Sequence, residues 1–316
     1  VKMTYDIPQR KKIRLIMNTD AKNEADDQYA IVHALLTPRF MIKGLIAAHF
    51  GNQRSTTSMQ DSYDEIQKLL SLMNLDGQVP VFKGAMGRIS DERTPQPSEG
   101  AELIIREALS DDPTPLYVVF TGPLTDLASA YLMDPSIAGR LTAIWIGGGH
   151  WPEGGGEYNL YNDICAANVV FQSNIDLWQV PLTAYSTIRV TIAELALKVR
   201  PHGAIGRYLF DQLVEYNEWY SKTMPNADWP KGESWCLGDS PAVSLLLDDH
   251  QFGYEMKSAP RFSEDMLYVH GNNGRQIRVY HYVDPRFTLE DMYAKLALRA
   301  EKDRSRETIV PKNTFE

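Results

Sequence analysis

The feature that most constrains this chain is an alternation of two patterns. Short apolar runs that end in polar residues or glycine are each followed by a segment whose apolar residues recur at helical spacing. Residues 13–17 form the first run and lead into Asn18-Thr19-Asp20, and a helical pattern follows over 24–36, stopped by Thr37-Pro38. Further strands are expected at 44–50, 79–82, 116–120 and 141–146. Helices are expected from the second strand to about residue 74 and over 101–109, 123–131, 162–172, 202–224, 241–247 and 289–300. Short strands are expected near Met266 and over 276–282. Strands separated by helices call for an open, mostly parallel sheet covered by helices on both faces, an α/β fold with a Rossmann-like core. The stretches 88–100 and 225–238, rich in Pro, Gly and charge, read as surface loops or lids.

At 316 residues, with 43% apolar and 23% charged residues, the chain can bury one large core, and a single domain over 1–316 is expected. Its 32 basic and 41 acidic side chains give a formal charge of −9. That balance argues against a phosphate-backbone binder, so no nucleic-acid partner is expected, while a neutral small molecule remains compatible. Cys165 and Cys236 form neither a disulfide framework nor a CxxC zinc pair, and they read as buried thiols. No apolar run reaches the 18 residues that a membrane span needs, and residues 1–12 lack the apolar centre of a signal peptide. The expectation is a cytoplasmic protein with no membrane partner.

In an open parallel sheet, ligands sit beyond the carboxyl ends of the strands. Here those positions hold Asp20, Asn52, Gly84, Thr121 and residues 147–150. The densest chemistry lies over 18–27, where Asp20 is followed by Glu24, Asp26 and Asp27. Carboxylates this close repel unless a cation or protons neutralise them, and hard divalent ions favour such oxygen donors. The same residues also suit the start of a helix, where negative charge meets the dipole favourably. Spacing alone leaves both readings open.

Five stretches, in order over about 225 residues, carry a family resemblance. They are Asn18 to Asp27, Gly51-Asn52, Thr121-Gly122-Pro123-Leu124-Thr125-Asp126, the glycines 147–149 with Glu157-Tyr158-Asn159, and Gly238-Asp239-Ser240-Pro241-Ala242. Together they resemble the inosine-uridine-preferring nucleoside hydrolases, whose N-terminal hallmark is Asp-x-Asp-x-Gly-x-Asp-Asp after a strand. The resemblance implies a calcium-dependent enzyme that hydrolyses the N-glycosidic bond of a ribonucleoside, commonly as a homodimer or homotetramer. It further implies Ca²⁺ held by Asp20, Asp27, the Thr121 carbonyl and Asp239, with Asp20 as the general base. Asp26, Glu157, Asn159 and Asp239 are then expected to bind the ribose, and Asn52 to lie near the attacking water.

Three departures stand beside it. Two extra residues separate Asp20 from Asp26-Asp27 and the motif's glycine is missing, Asn18 replaces the first aspartate, and Gly238 stands where purine-accepting members carry a histidine that helps protonate the base. His150 is the expected substitute acid, and the alternative is that it is a plain loop histidine. Trp151 or Trp235 is an expected stacking surface, while Tyr216, Trp219, Tyr220 and Trp229 either line a base pocket or simply pack. His33, His49, His202, His250, His270 and His281 show no metal-ligand spacing, although His49 ends a strand on the active edge. Hydrolysis of another ribosyl or glycosyl compound, or calcium-dependent sugar binding without turnover, are the rival readings. A haloacid-dehalogenase-type phosphatase is disfavoured because Asn18 occupies the position of its nucleophile.

Overall fold

The computed structural model describes residues 3–248, 253–271 and 274–309, with His250 outside them. The strands are β1 Ile13–Thr19, β2 Phe40–Ala47, β3 Val81–Lys83, β4 Leu116–Phe120, β5 Thr142–Ile146, β6 Asp176–Val180, β7 Arg189–Thr191, β8 Ser234–Cys236, β9 Tyr254–Ser258, β10 Arg261–Phe262, β11 Tyr268–Val269 and β12 Gln276–Tyr280. Eight of them form one sheet in the order β3-β2-β1-β4-β5-β6-β12-β9. All neighbours in it run parallel except the pair β12 and β9.

Side-chain alternation along each strand feeds two cores. Leu15, Met17, Leu45, Val119, Ile144 and Trp178 face one side, where they meet the helices Asp27–Leu35, Ser58–Leu72, Gly203–Thr223 and Pro285–Ile309. Ile16, Ile46, Val118, Phe120, Ala143 and Trp145 face the other side, against the helices Glu99–Ala108, Thr125–Met133 and Ile164–Gln172. Burial on both faces makes the central strands nearly continuous apolar runs, and β1 is buried at every position.

Most expected elements occur with shifted ends. The first helix begins at Asp27 instead of 24, because residues 21–26 are spent on turns. The expected helix over 162–172 is split at Asp163, which caps the helix Ile164–Gln172 by accepting from the Ala166 N–H. β6 and β9 have no counterpart in the sequence reading. In β6 the alternation is masked by Gln179, a buried polar residue whose amide donates to the Gly147 carbonyl and the Tyr268 hydroxyl.

Trp145 ties the sheet to the loop above it. Its ring is fully buried, meets Phe171 and Phe262 edge-on, and its Nε1 donates to the Gly122 carbonyl at 3.0 Å. Trp145→Ala is expected to lower the unfolding free energy by about 3–5 kcal/mol, the usual range for emptying a large aromatic site. Urea titration measures it, and a loss below about 1 kcal/mol would contradict the packing role.

Candidate active site

Parallel register aligns the strand ends. Thr19 pairs with Ala47, Asn18 with Phe120, Phe120 with Trp145, and Ile146 with Val180, so the residues that follow share one edge. A cavity opens there, walled by Asp20, Asn23, Glu24, Asp26, Asp27, Arg54, Thr121, Glu157, Tyr158, Asn159, Tyr185, Tyr220, Trp229, Gly238 and Asp239 among others.

The carboxylates converge from two parts of the chain, residues 20–27 and Asp239. Asp26, Asp27 and Asp239 each offer an oxygen within 4.8 Å of the others. Asp27 is held by the hydroxyls of Thr19 at 2.5 Å and Thr121 at 2.8 Å, both donating to its Oδ1. The Asp239 N–H donates to Asp26 Oδ2 at 3.2 Å. Asp20 is buried and its Oδ2 has no hydrogen-bond partner. Gly122 is required beside it, since an added Cβ would come within 3.0 Å of the Asp20 carboxyl carbon.

Burial raises all of these carboxyl groups. Asp20 lies well above the ordinary carboxylate range because of burial and then the charges of Asp27 and Asp26. Asp26 and Asp239 are pushed the same way by burial and by their acidic neighbours. Burial brings Asp27 to about 6 despite the threonine hydrogen bonds. An unpartnered oxygen among crowded, buried carboxylates fits a hard divalent cation, which relieves the repulsion that protons otherwise relieve. The carboxylates close enough together to share such an ion are those of Asp26, Asp27 and Asp239, whereas the sequence expectation named Asp20 in place of Asp26.

Glu157 and Asn159 line the same cavity. Glu157 accepts from the N–H groups of Gly148, Asn159 and Leu160 and from the Tyr185 hydroxyl. Asn159 Nδ2 donates to the carbonyls of Thr121 and Ile146, both at 2.9 Å.

Two expected residues lie elsewhere. His150 is exposed, hydrogen-bonded through Nδ1 to the Thr183 hydroxyl, and does not line the cavity. Asn52 is exposed beside a neighbouring depression that it shares with His49. His49 is buried, sits 2.8 Å from the Thr125 hydroxyl, and is depressed by burial to about 4. Trp151 packs on Tyr268, away from the cavity, and Trp235 lies behind its wall.

Other residues at the site went unassigned in the sequence. Glu24, read there as part of an acidic helix start, reaches the cavity instead and accepts at Oε1 from the indole N–H groups of Trp229 and Trp235, each at 3.1 Å. Burial raises it to about 7, opposed by the Trp229 hydrogen bond and Arg54. Tyr185 occupies the room beside Gly238, where an added Cβ would meet its ring at 2.8 Å. Arg54 lines the rim, anchored to Asn23 and Tyr216.

The profile of the inosine-uridine preferring nucleoside hydrolases matches residues 15–310. The chain belongs to that family. Membership makes it an N-glycosyl hydrolase, and the family is metal-dependent. Uridine nucleosidase 1 of Arabidopsis thaliana is 27% identical over 235 residues, covering 67% of this chain and 69% of that protein. The pyrimidine-specific ribonucleoside hydrolase RihA of Escherichia coli is 28% identical over 61% of this chain and 69% of its own length. Among solved structures, the purine-preferring ribonucleoside hydrolase from Gardnerella vaginalis superposes with a TM-score of 0.74 at 20% identity, covering 91% of this chain and 99% of that one. The plant nucleoside hydrolase PpNRh1 gives 0.72 at 19% identity, over 90% and 98%. Against the family motif, the two extra residues of this hydrolase are absorbed in the turns over 21–26. Gln28 Nε2 and Gln212 Nε2 pin those turns by donating to the carbonyls of Ala21 and Ala25.

The raised carboxylates fix how pH acts on stability. With divalent cations chelated, the folded state retains protons on Asp27 up to about 6 and on Glu24 up to about 7. The unfolded chain releases them near about 4. Their contribution to stability is fully present below that lower value and is lost as pH rises through the folded values. A bound cation displaces those protons, so the stability gap between cation-loaded and chelated protein should widen from about pH 5 to about pH 8. Thermal melts at both pH values measure it, and a narrowing gap contradicts the arrangement.

Proposed function

We propose that this hydrolase cleaves the N-glycosidic bond of a ribonucleoside to give ribose and the free base, with calcium as its metal. The observation that carries the reading is the cluster of Asp26, Asp27 and Asp239 in a cavity that Asp20, Thr121, Glu157 and Asn159 also line. The names of the plant and bacterial relatives, a uridine nucleosidase and a pyrimidine-specific ribonucleoside hydrolase, agree with it.

Asp20, Asp27, Asp239 and the Thr121 oxygen would hold the ion. Calcium supplies positive charge that keeps these carboxylates ionised and acidifies water in the site. The unpartnered Asp20 Oδ2 is the base: it takes a proton from water as the water oxygen bonds to the anomeric carbon. The carbon–nitrogen bond breaks with its electron pair leaving on the base. Asp26, Asp239, Glu157 and Asn159 orient the ribose hydroxyls and favour the cationic character that the sugar acquires. Glu157 is well placed for this, because three N–H groups and the Tyr185 hydroxyl fix its carboxyl group.

A second reading, hydrolysis of another ribosyl or glycosyl compound, is favoured by the Tyr185 ring, which fills the space beside Gly238 and reshapes the leaving-group side. Binding without turnover is disfavoured by membership in a family of hydrolases.

The reading is tested by assaying uridine, inosine and p-nitrophenyl β-D-ribofuranoside with calcium and with chelator. Hydrolysis should require the metal. Asp20→Asn at saturating calcium should retain ribose binding while kcat drops by about 10²–10⁴-fold, the usual contribution of a positioned base. Unchanged turnover in that variant removes the base assignment, and turnover of the activated riboside alone favours the second reading.

A further inference from the structure

The cavity wall carries six carboxylates, from Asp20, Glu24, Asp26, Asp27, Glu157 and Asp239, and among the described residues its one cationic side chain is Arg54. A guanidinium beside so many carboxylates would ordinarily pair with one of them. Arg54 instead spends a single nitrogen on anchoring. Its Nη1 donates to the Asn23 carbonyl at 2.7 Å, to Asn23 Oδ1 at 3.0 Å and to the Tyr216 hydroxyl at 2.7 Å. The flat group is braced by aromatic rings, 4.9 Å from the Tyr158 centroid and 5.7 Å from that of Trp219. No further hydrogen bond or ion pair engages it among the described residues, which leaves the donors on Nε and Nη2 free. Glu24, the nearest acidic candidate, is turned toward the indoles of Trp229 and Trp235.

Asn23 belongs to the lengthened turn after Asp20, so the same insertion that departs from the family motif also anchors this arginine. Tyr158 lies between Glu157 and Asn159, the residues assigned to the sugar. Arg54 therefore lines the same cavity as Glu157, Asn159 and the acidic cluster, against the ring of the residue between the first two.

Resting on the reading above, we propose that Arg54 receives the departing base. When the bond from the anomeric carbon to the ring nitrogen breaks, the electron pair stays on the base and spreads onto its ring carbonyl oxygen. The free N–H groups of Arg54 donate to that oxygen and stabilise its charge, a task that needs no proton and so no histidine at position 238. The base nitrogen takes its proton from solvent water on release. The substrate class is a ribonucleoside whose base has a ring carbonyl, as in uracil or hypoxanthine. Adenosine, which lacks one, is the poorer substrate.

The test compares the better of uridine and inosine with p-nitrophenyl β-D-ribofuranoside, whose leaving group already holds negative charge well. In calcium-loaded enzyme, Arg54→Met should lower kcat for the nucleoside by about 100-fold or more, as for loss of one charge-stabilising donor. It should lower kcat for the activated riboside by less than about fivefold. Arg54→Lys, which keeps the charge without the fork, should recover part of the nucleoside rate. Arg54 lies on the exposed rim, and calcium-induced thermal stabilisation confirms that each variant folds. Equal losses on both substrates, or no loss on either, overturn the role of Arg54 and leave the hydrolase reading intact. So does wild-type turnover of the riboside alone. Wild-type protein that hydrolyses none of the three with calcium present overturns the hydrolase reading itself.

Discussion

Mutual repulsion among buried carboxylates is the constraint around which this molecule is arranged. Asp20, Asp26, Asp27 and Asp239 are each removed from bulk water, the charges of Asp26 and Asp27 raise Asp20 and Asp239, and Asp27 also raises Asp26. Such a group tolerates ionisation only with compensating positive charge or with hydrogen bonds aimed at its oxygens. The chain supplies part of this itself: the Thr19 and Thr121 hydroxyls for Asp27, and the Asp239 N–H for Asp26. It supplies nothing for Asp20 Oδ2. A cation would complete the neutralisation, and the proposed base is the oxygen that the chain leaves without a partner.

The sheet makes that concentration of charge mechanically possible. Strand ends set in register by parallel pairing deliver Asp20 and Thr121 to one line without any long loop. Asp239 arrives separately, in the turn between β8 and the short helix Pro241–Ser244, and is fixed by its own backbone bond to Asp26. Beneath them Trp145 spans from the core to the Gly122 carbonyl, which ties the loop holding the Thr121 oxygen to the packed interior. The site is thus carried by the buried, close-packed sheet, which suits preorganised electrostatics.

Legibility in the sequence followed the same division. β1, β2, β4 and β5 could be read because burial on both faces leaves nearly continuous apolar runs, and the acidic residues after β1 stood out by charge. β6 could not, since Gln179 makes its hydrogen bonds inside the core and breaks the pattern that signals a buried strand. The rim of the site was equally opaque. Arg54 lies in a polar loop with no periodicity, and what brings it to the cavity is a set of contacts from residues 23, 158, 216 and 219. His150 was singled out for lying next to the glycine run, but nearness in sequence to a strand end does not set where a side chain points. It faces Thr183 and solvent.

The departures from the family motif can be traced to one redistribution of space. At position 238 a side chain would collide with the Tyr185 ring, and that ring is held by its hydroxyl against Glu157. Tyr185 therefore both occupies the room a histidine would need and steadies a sugar-facing carboxylate, so restoring a histidine at 238 alone would disturb two contacts at once. The extra residues after Asp20 act at the opposite wall, where Asn23 and Glu24 meet Arg54 and the indoles of Trp229 and Trp235. Glu24 Oε1 accepts from both indoles, and although its charge and that of Arg54 act on each other, no hydrogen bond or ion pair joins the guanidinium to a carboxylate among the described residues. One cavity thereby holds both an acidic cluster that calls for a cation and a guanidinium with donors to spare, and the two roles proposed for them rest on that separation.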